Sequence, residues 1–132
     1  VRGVPSVSFL AVWSSLTASI AESIAQRSGG WFLFGIGSSG RQVSAGRHEV
    51  RLAKQLQRTC EYVAVVRIAL AHLKVEFKGE TIELPLPDSP GKALKLTIRP
   101  SQHNLPIYLA VLGPKNVAVA GEIAAGWLPL FF

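Results

Sequence analysis

The chain has 132 residues, of which 48% are hydrophobic and 17% are charged, and its formal net charge is +6. This length holds one domain or part of one, and the composition excludes a disordered tail or a polar linker. The single cysteine excludes an internal disulfide, and the three histidines are too scattered in the sequence to form a zinc module.

Neither a nucleic acid nor a membrane is expected as a partner. The basic excess is spread along the chain and lacks interleaved aromatic residues, so we predict a solvated basic surface. No apolar run reaches the roughly 18 residues of a membrane-spanning helix, because Arg67 and Pro106 interrupt the longest candidates. We therefore expect a cytoplasmic protein.

The first predicted elements are a short strand and a helix. Residues 6–12 are predicted to form the strand. From Ser14 the apolar residues recur every four positions, which predicts a helix with one buried apolar face. That face consists of Leu16, Ile20 and Ile24. Gly29 and Gly30 are expected to end the helix in a left-handed conformation.

A second strand and a second helix follow. Residues 31–34 are apolar at every position, which predicts a buried strand of a parallel sheet, and the glycine-rich residues 35–46 are predicted to form a loop. Apolar residues at helical spacing predict a helix over about 52–72. We expect Glu61 largely on its solvent side, and Cys60 toward its packed side as an inert thiol.

The segment after this helix departs from the alternation of strands and helices. Residues 74–77 and 81–84 flank a turn at 78–80 and predict a small hairpin. Three prolines then interrupt regular structure, and residues 93–98 are predicted to form a short strand. We call residues 74–104 the insertion.

The last part of the chain returns to strand, helix and strand. Residues 105–112 are almost continuously apolar and predict a buried parallel strand. A helix is predicted over 116–124 and a further strand over 126–132. Strands that alternate with helices in this way predict an α/β protein with a parallel sheet.

A glycine-rich motif follows the second predicted strand. Residues 35–40 match G-x-G-x-x-G letter for letter. A dinucleotide fingerprint also needs a helix at its third glycine and an acidic residue at the end of the next strand, and both are missing here. The dinucleotide site stays an alternative that lacks these two requirements. What remains is a glycine-rich loop at the carboxyl end of a strand, where backbone can approach a flat ring closely.

A second candidate site lies where the strand at 105–112 ends. Gly113 makes the turn, Pro114 suits the first helical position, and Lys115 adds positive charge. The free amides at the start of the following helix form an anion site. The alternative is an ordinary connection between strand and helix, in which Asn116 caps the helix and binds nothing.

No catalytic group can be assigned from the sequence. Ser38 and Ser39 have no Asp-His relay near them in sequence. His48 and Glu49 follow the glycine-rich loop and could reach a substrate, but we expect them to form solvated polar surface.

Several segments carry a resemblance to a known family. Residues 28–43 resemble "SGGRF-x-LGLG-x-SGPQV", a segment of the luciferase-like monooxygenase family and specifically of its oxidoreductases that depend on coenzyme F420. The further matching segments are "R-x-REYV" at 59–63, "Y-x-GE" at 77–80, "PGKALKL" at 90–96, "IPIYLAALGP+NV" at 107–117 and "GEIADGWLP" at 121–129. The match covers residues 14–132 in unbroken order.

The resemblance implies a fold, a cofactor and a site. The family folds as a (β/α)8 barrel with an insertion, and it uses F420 or reduced flavin for hydride transfer or oxygenation of a small-molecule substrate. Carried over to this chain, the cofactor ring would lie at Gly37, Ser38 and Ser39. The cofactor phosphate would lie at the turn formed by Leu112, Gly113, Pro114, Lys115 and Asn116. F420 is the expected cofactor, with FMN as the alternative, and no metal is expected.

The length leads to two hypotheses of different class. A complete barrel takes about 250 residues, whereas residues 1–132 predict a single partial barrel domain of about four parallel strands and three helices. The chain is then either the central part of an F420- or flavin-dependent oxidoreductase, or a truncated, non-catalytic product that acts through self-association or a partner chain. Unpaired strand edges would favour a homo-oligomer. The absent methionine indicates a chain that is processed or cut from a longer one.

Overall fold

The computed structural model describes residues 6–7, 14–37, 54–99 and 104–129. These residues contain the helices α1 (Ser14–Ser28), α2 (Gln55–Leu70) and α3 (Pro114–Ile123). They also contain the strands β1 (Ser6–Val7), β2 (Phe34–Gly37), β3 (Phe77–Lys78), β4 (Glu83–Leu84), β5 (Ile107–Ala110) and β6 (Gly126–Trp127).

The main sheet is parallel and runs in the order β1-β2-β5-β6. Strands β3 and β4 form a separate sheet. Within the main sheet each strand is added beside the previous one in chain order, and always on the same side. A doubly wound dinucleotide-binding sheet requires a reversal of this order, so the described sheet lacks the fold that the dinucleotide alternative needs. The predicted partial (β/α)8 barrel, with four parallel strands and three helices, is confirmed.

The core lies between the sheet and the helices. Alternate residues of β2 and β5 face the helix layer and are buried: Phe34, Ile36, Ile107 and Leu109. Helix α2 covers them with Tyr62, Val63, Val65, Val66 and Ala69. The predicted burial of the 105–112 strand is confirmed on this face, although β5 has shorter bounds.

The buried face of α1 differs from the predicted one. Leu16, Ile20 and Ile24 are on the exposed side of the helix. The buried residues are small or polar: Ser14, Thr17, Ala18, Ala21, Glu22 and Ala25. Small side chains allow α1 to lie close to α2, and a hydrogen bond of 2.5 Å joins the hydroxyls of Thr17 and Tyr62 across this contact. Burial raises the pKa of Tyr62 to about 12, although the hydrogen bond with Thr17 acts in the opposite direction.

Strand β2 begins later than predicted. Gly29 and Gly30 end α1 with φ of 64° and 90°, as expected. The chain pairs with β5 only from Phe34 onward, so Trp31 stays exposed and the predicted strand at 31–34 is wrong in its first three positions. Residues 35–37 of the predicted loop belong to β2, and the rest of that loop lies outside the described residues.

The insertion contains the predicted hairpin and lacks the predicted strand at 93–98. Strands β3 and β4 pair antiparallel, with Phe77 opposite Leu84. Residues 93–98 form no strand. This segment lies beside α1, and the carbonyl of Leu94 accepts a hydrogen bond of 3.1 Å from the amide of Val75.

Glu61 lies inside the structure, contrary to the prediction that it faces solvent. Its side chain is only 4% exposed. It accepts hydrogen bonds from the amides of Glu80, Thr81 and Ile82 at 2.8, 2.8 and 2.9 Å, and from the Thr81 hydroxyl at 2.6 Å. Gln57 donates a further bond of 2.8 Å. Burial by itself would raise the pKa of Glu61, but these donors outweigh it and lower the pKa to about 2.

The Glu61 carboxylate therefore fastens the hairpin turn to α2. The turn approaches so closely that a Cβ atom on Gly79 would lie 2.5 Å from the Glu61 Cδ atom. Two segments that are separate in sequence, at 59–63 and 77–80, thus meet through one carboxylate. The exposed pair of Lys54 and Glu80 lies beside this contact.

Replacement of Glu61 by Gln should destabilise the fold. The amide keeps the shape of the carboxylate but turns an NH2 group toward backbone donors, so we expect a loss of about 2 kcal/mol in the free energy of unfolding at pH 7. Urea unfolding followed by circular dichroism measures the loss. The matched control is Glu76→Gln, an exposed position whose effect should stay within about 0.5 kcal/mol.

The pH dependence of stability in the wild type and in Glu61→Gln gives a second test. The folded-state pKa of Glu61 is about 2 and its ordinary value is 4.5. The carboxylate therefore stabilises the fold fully above pH 4.5, and this contribution is lost as the pH falls toward 2. The stability difference between the wild type and Glu61→Gln should shrink over that range. An equal difference at every pH would contradict the assignment.

Candidate functional site

The carboxyl ends of β2 and β5 lie level at one edge of the sheet. Gly37 ends β2 and pairs with Ala110, which ends β5. The chain leaves both strands at this edge, after Gly37 in one case and toward the turn at Gly113 in the other. Most of the sequence-predicted site residues within the described part of the chain therefore share one edge. Ser38 and Ser39 lie outside the described residues, as do His48 and Glu49.

The face of the sheet opposite the helices carries mostly small residues near this edge. Paired residues of neighbouring strands point to the same side, so Gly35, Tyr108 and Gly126 form one row and Gly37 and Ala110 the next. Gly35, Gly37, Ala110 and Gly126 add almost no side chain, which leaves flat backbone beside the Tyr108 ring.

The Tyr108 ring lies directly over Gly126. A Cβ atom on Gly126 would lie 2.4 Å from Cε1 and 2.7 Å from Cδ1 of Tyr108, distances that real atoms do not adopt. The position of the ring thus depends on the absence of a side chain at Gly126. At the carboxyl edge, a Cβ atom on Gly37 would meet the Ala110 carbonyl oxygen at an ordinary 3.4 Å.

Helix α3 starts at the same edge. Gly113 precedes it with φ of 86° and ψ of 147°, a conformation that favours glycine, and Pro114 is its first residue. The helical hydrogen bonds begin at Val117, whose amide donates to the carbonyl of Gly113 at 3.0 Å. The amides of Lys115 and Asn116 come before that point, so they have no carbonyl of the same helix to bind. The Lys115 side chain is exposed beside them.

Asn116 has a role different from that of a helix cap. Its side-chain amide donates to the carbonyl of Leu112 at 2.8 Å. Gly113 occupies the cap position, and no side chain caps the helix there. Asn116 therefore stiffens the turn between strand and helix while its backbone amide stays available.

Trp127 also lies at this edge, although the sequence did not predict a role for it. Its indole N–H donates to the carbonyl of Val111 at 2.8 Å, which ties the end of β6 to the end of β5. The Leu128 amide continues the pairing by donating to the Leu109 carbonyl at 2.9 Å. The available signal was an indole near the start of the predicted strand at 126–132, because an indole must place a polar N–H beside apolar neighbours.

The structure also describes the single cysteine and most of the side chains of the types that bind metal ions. Cys60 is half-buried, and burial raises the pKa of its thiol. Over the ranges that the structure describes, no group of three or more His, Cys, Asp or Glu side chains could hold a metal ion. No helix in this part of the chain is both long enough and apolar enough to cross a membrane.

The family follows from comparison with known proteins. The family model described as luciferase-like monooxygenase matches residues 6–132. The chain therefore belongs to the luciferase-like monooxygenase family.

Two relatives are similar along most of this chain. A Mycobacterium tuberculosis protein provisionally named a coenzyme F420-dependent oxidoreductase is 42% identical over 120 residues, which is 87% of this chain and 35% of that protein. The 5,10-methylenetetrahydromethanopterin reductase of Archaeoglobus fulgidus is 32% identical over 114 residues, or 86% of this chain and 31% of that protein. The chain thus spans about a third of the length of these relatives.

A solved structure shares the fold. The coenzyme F420-dependent tetrahydromethanopterin reductase from Methanopyrus kandleri matches with a TM-score of 0.67 and 22% identity. The match covers 96% of this chain and 38% of the reductase. At this identity the likeness concerns the arrangement of strands and helices.

Replacement of Gly126 by Ala should disturb the face of the sheet opposite the helices. The new methyl group would overlap the Tyr108 ring, so we expect a loss of about 1–3 kcal/mol in the free energy of unfolding. The control is Gly121→Ala, because a Cβ atom there meets nothing within 4 Å and alanine favours a helix by up to about 1 kcal/mol. Urea unfolding should move in opposite directions for the two variants.

A second replacement checks the cause. If the Tyr108 ring is the obstacle, Tyr108→Ala should remove most of the cost of Gly126→Ala in the double variant. Additive effects of the two replacements would show that the ring and the glycine do not depend on each other.

Proposed function

We propose that this chain binds coenzyme F420 at the carboxyl edge of its sheet and forms the cofactor-binding part of an oxidoreductase that transfers hydride to or from a small-molecule substrate. The single observation that carries the proposal is the open start of α3 on the same edge as the end of β2. Two relatives named for F420 or for a reductase reaction support it.

The phosphate of the cofactor would bind at the start of α3. The amides of Lys115 and Asn116 and the positive end of the helix dipole attract an anion, and the Lys115 ammonium adds a full charge. Gly113 allows the backbone to approach, since it carries no Cβ, and the bond from Asn116 to Leu112 holds the turn in place.

The flat ring of the cofactor would lie against the small-residue face. Gly37 and Ala110 leave backbone exposed to a ligand at the edge, and Ser38 and Ser39 follow directly in sequence. The Tyr108 ring forms the next row below and would limit how deep the ligand enters. The residues present therefore fit both a planar ring and a phosphate.

The chemistry divides between cofactor and protein. Coenzyme F420, when bound, supplies a ring that carries a hydride. The described residues of this chain bind the phosphate, orient the ring and exclude water from one of its faces. We assign no proton-transferring residue in this chain. The insertion at 74–104 belongs to the same domain, residues 1–132, in this proposal.

Two alternatives are kept. FMN also has a flat ring and a phosphate, so it would use the same two surfaces. The second alternative is a chain that does not turn over substrate by itself and acts through self-association or a partner chain, for example through open strand edges, because β1 and β6 are the outer strands of the described sheet.

Lys115→Gln should weaken cofactor binding. Loss of a charge-assisted hydrogen bond predicts an affinity for F420 about tenfold lower, measured by fluorescence titration of the full chain. Lys74→Gln, which removes an exposed lysine from the insertion, is the matched control and should leave the affinity unchanged. Gly113→Ala should also weaken binding, because alanine is strained at φ of 86° and ψ of 147°. Equal affinities in all four proteins would refute the α3 site.

Turnover separates the two hypotheses of function. We expect the 132-residue chain to bind F420 saturably and to show little or no substrate turnover by itself. Reduction of F420 or FMN at ordinary enzymatic rates, about 1–1,000 per second, would refute the non-catalytic alternative. Saturable binding of FMN with no binding of F420 would replace the proposed cofactor.

A further inference from the structure

A cavity of about 360 Å³ lies between α1 and the insertion. The segment 92–98 follows α1 along one flank: Ser15 and Ser19 line the cavity near the start of the helix, and the Gln26 side chain donates to the Arg99 carbonyl near its end. The volume lies within the range of about 300–1,000 Å³ that is typical of small-molecule sites.

The floor of this cavity is apolar. Val75, Leu84, Leu96 and Ile98 contribute it, and Val75 belongs to the buried core of the protein. The hydrogen bond from the Val75 amide to the Leu94 carbonyl joins the start of the insertion to its later segment at 92–98, and both contribute to the floor. Contact with such a floor removes apolar ligand surface from water, which is favourable.

The rim of the cavity is basic. Lys92 and Lys95 line it, and none of the described lining residues is an aspartate or a glutamate. The ion pairs found among the described residues join Lys54 to Glu80 and Lys78 to Glu83, so neither rim lysine takes part in them. Two ammonium groups with no acidic side chain among the described lining residues create a positive potential that attracts an anion.

We propose that this cavity binds a small amphipathic anion, whose apolar body rests on the floor and whose carboxylate or phosphate lies between Lys92 and Lys95. The site is separate from the start of α3: α1 connects β1 to β2, α3 connects β5 to β6, and α2 packs against both helices. The inference therefore does not depend on F420 binding.

Calorimetric titration of the full chain tests the ligand class. Octanoate and octyl phosphate should each bind saturably at one site. Inorganic phosphate lacks the apolar body, and octanol and octylammonium lack the negative charge, so each should bind at least about tenfold more weakly. The tighter of the two anions identifies the preferred head group.

Matched variants test the location. Lys92→Gln combined with Lys95→Gln should weaken octanoate binding at least about tenfold. Lys74→Gln combined with Lys78→Gln removes the same charge outside the cavity and should have no such effect. Ser19→Leu should abolish binding by filling the cavity, whereas Ser23→Leu, one turn further along α1 and outside the lining, should not.

Three results would overturn the proposal. They are unchanged octanoate binding in the Lys92 and Lys95 double variant, equal binding of octylammonium, and no saturable octanoate binding by wild-type chain whose circular dichroism shows it to be folded. F420 titration of the same samples distinguishes failure of this proposal from failure of the proposed function. The variant with Lys92→Gln and Lys95→Gln should bind F420 as the wild type does.

Discussion

The pairing of β2 with β5 is the contact on which the rest of the described structure depends. These strands are neighbours in the sheet although α2 and the whole insertion lie between them in sequence. The intervening chain must therefore leave the sheet at its carboxyl edge and return to its amino edge. Glu61 stabilises that detour, because its carboxylate binds the turn at 80–82 and so fastens the insertion to α2.

The same register positions the candidate site. It sets Gly37 level with Ala110, and the turn at Gly113 follows three residues after the latter. The register also places Tyr108 between two glycines, so its ring lies over Gly126, and the next row toward the carboxyl edge holds only Gly37 and Ala110. One edge of one sheet thus offers a flat surface and an anion-binding helix start, which are the two features that a ring with a phosphate requires.

Local signals predicted much of the fold. Paired glycines ended α1, Gly113 and Pro114 marked the start of α3, and the hairpin turn lay where its flanking strands indicated. The buried face of α1 could not be predicted from apolar spacing, because the contact with α2 uses alanine and threonine in place of the large side chains. The burial of Glu61 could not be predicted either, since three of its partners are backbone amides about twenty residues away and backbone carries no sequence signal.

One part of the candidate site could likewise be predicted from the sequence and the other part could not. Its α3 half follows from a short stretch of sequence, because a strand end, a glycine and a proline are contiguous there. Its flat half depends on Gly35 and Gly126 lying on either side of Tyr108, and these residues come from three different strands. Only the register of the sheet brings them together. The bond from Trp127 to Val111 also needed the register to be known.

The central claim is that the flat face and the start of α3 form one site, and backbone amide shifts of the full chain in nuclear magnetic resonance test it most directly. Inorganic phosphate should shift the amides of Lys115 and Asn116 alone. Coenzyme F420 should shift these and also those of Gly37 and Ala110. Shifts by F420 that spare either group, or that appear only elsewhere in the chain, would contradict the account.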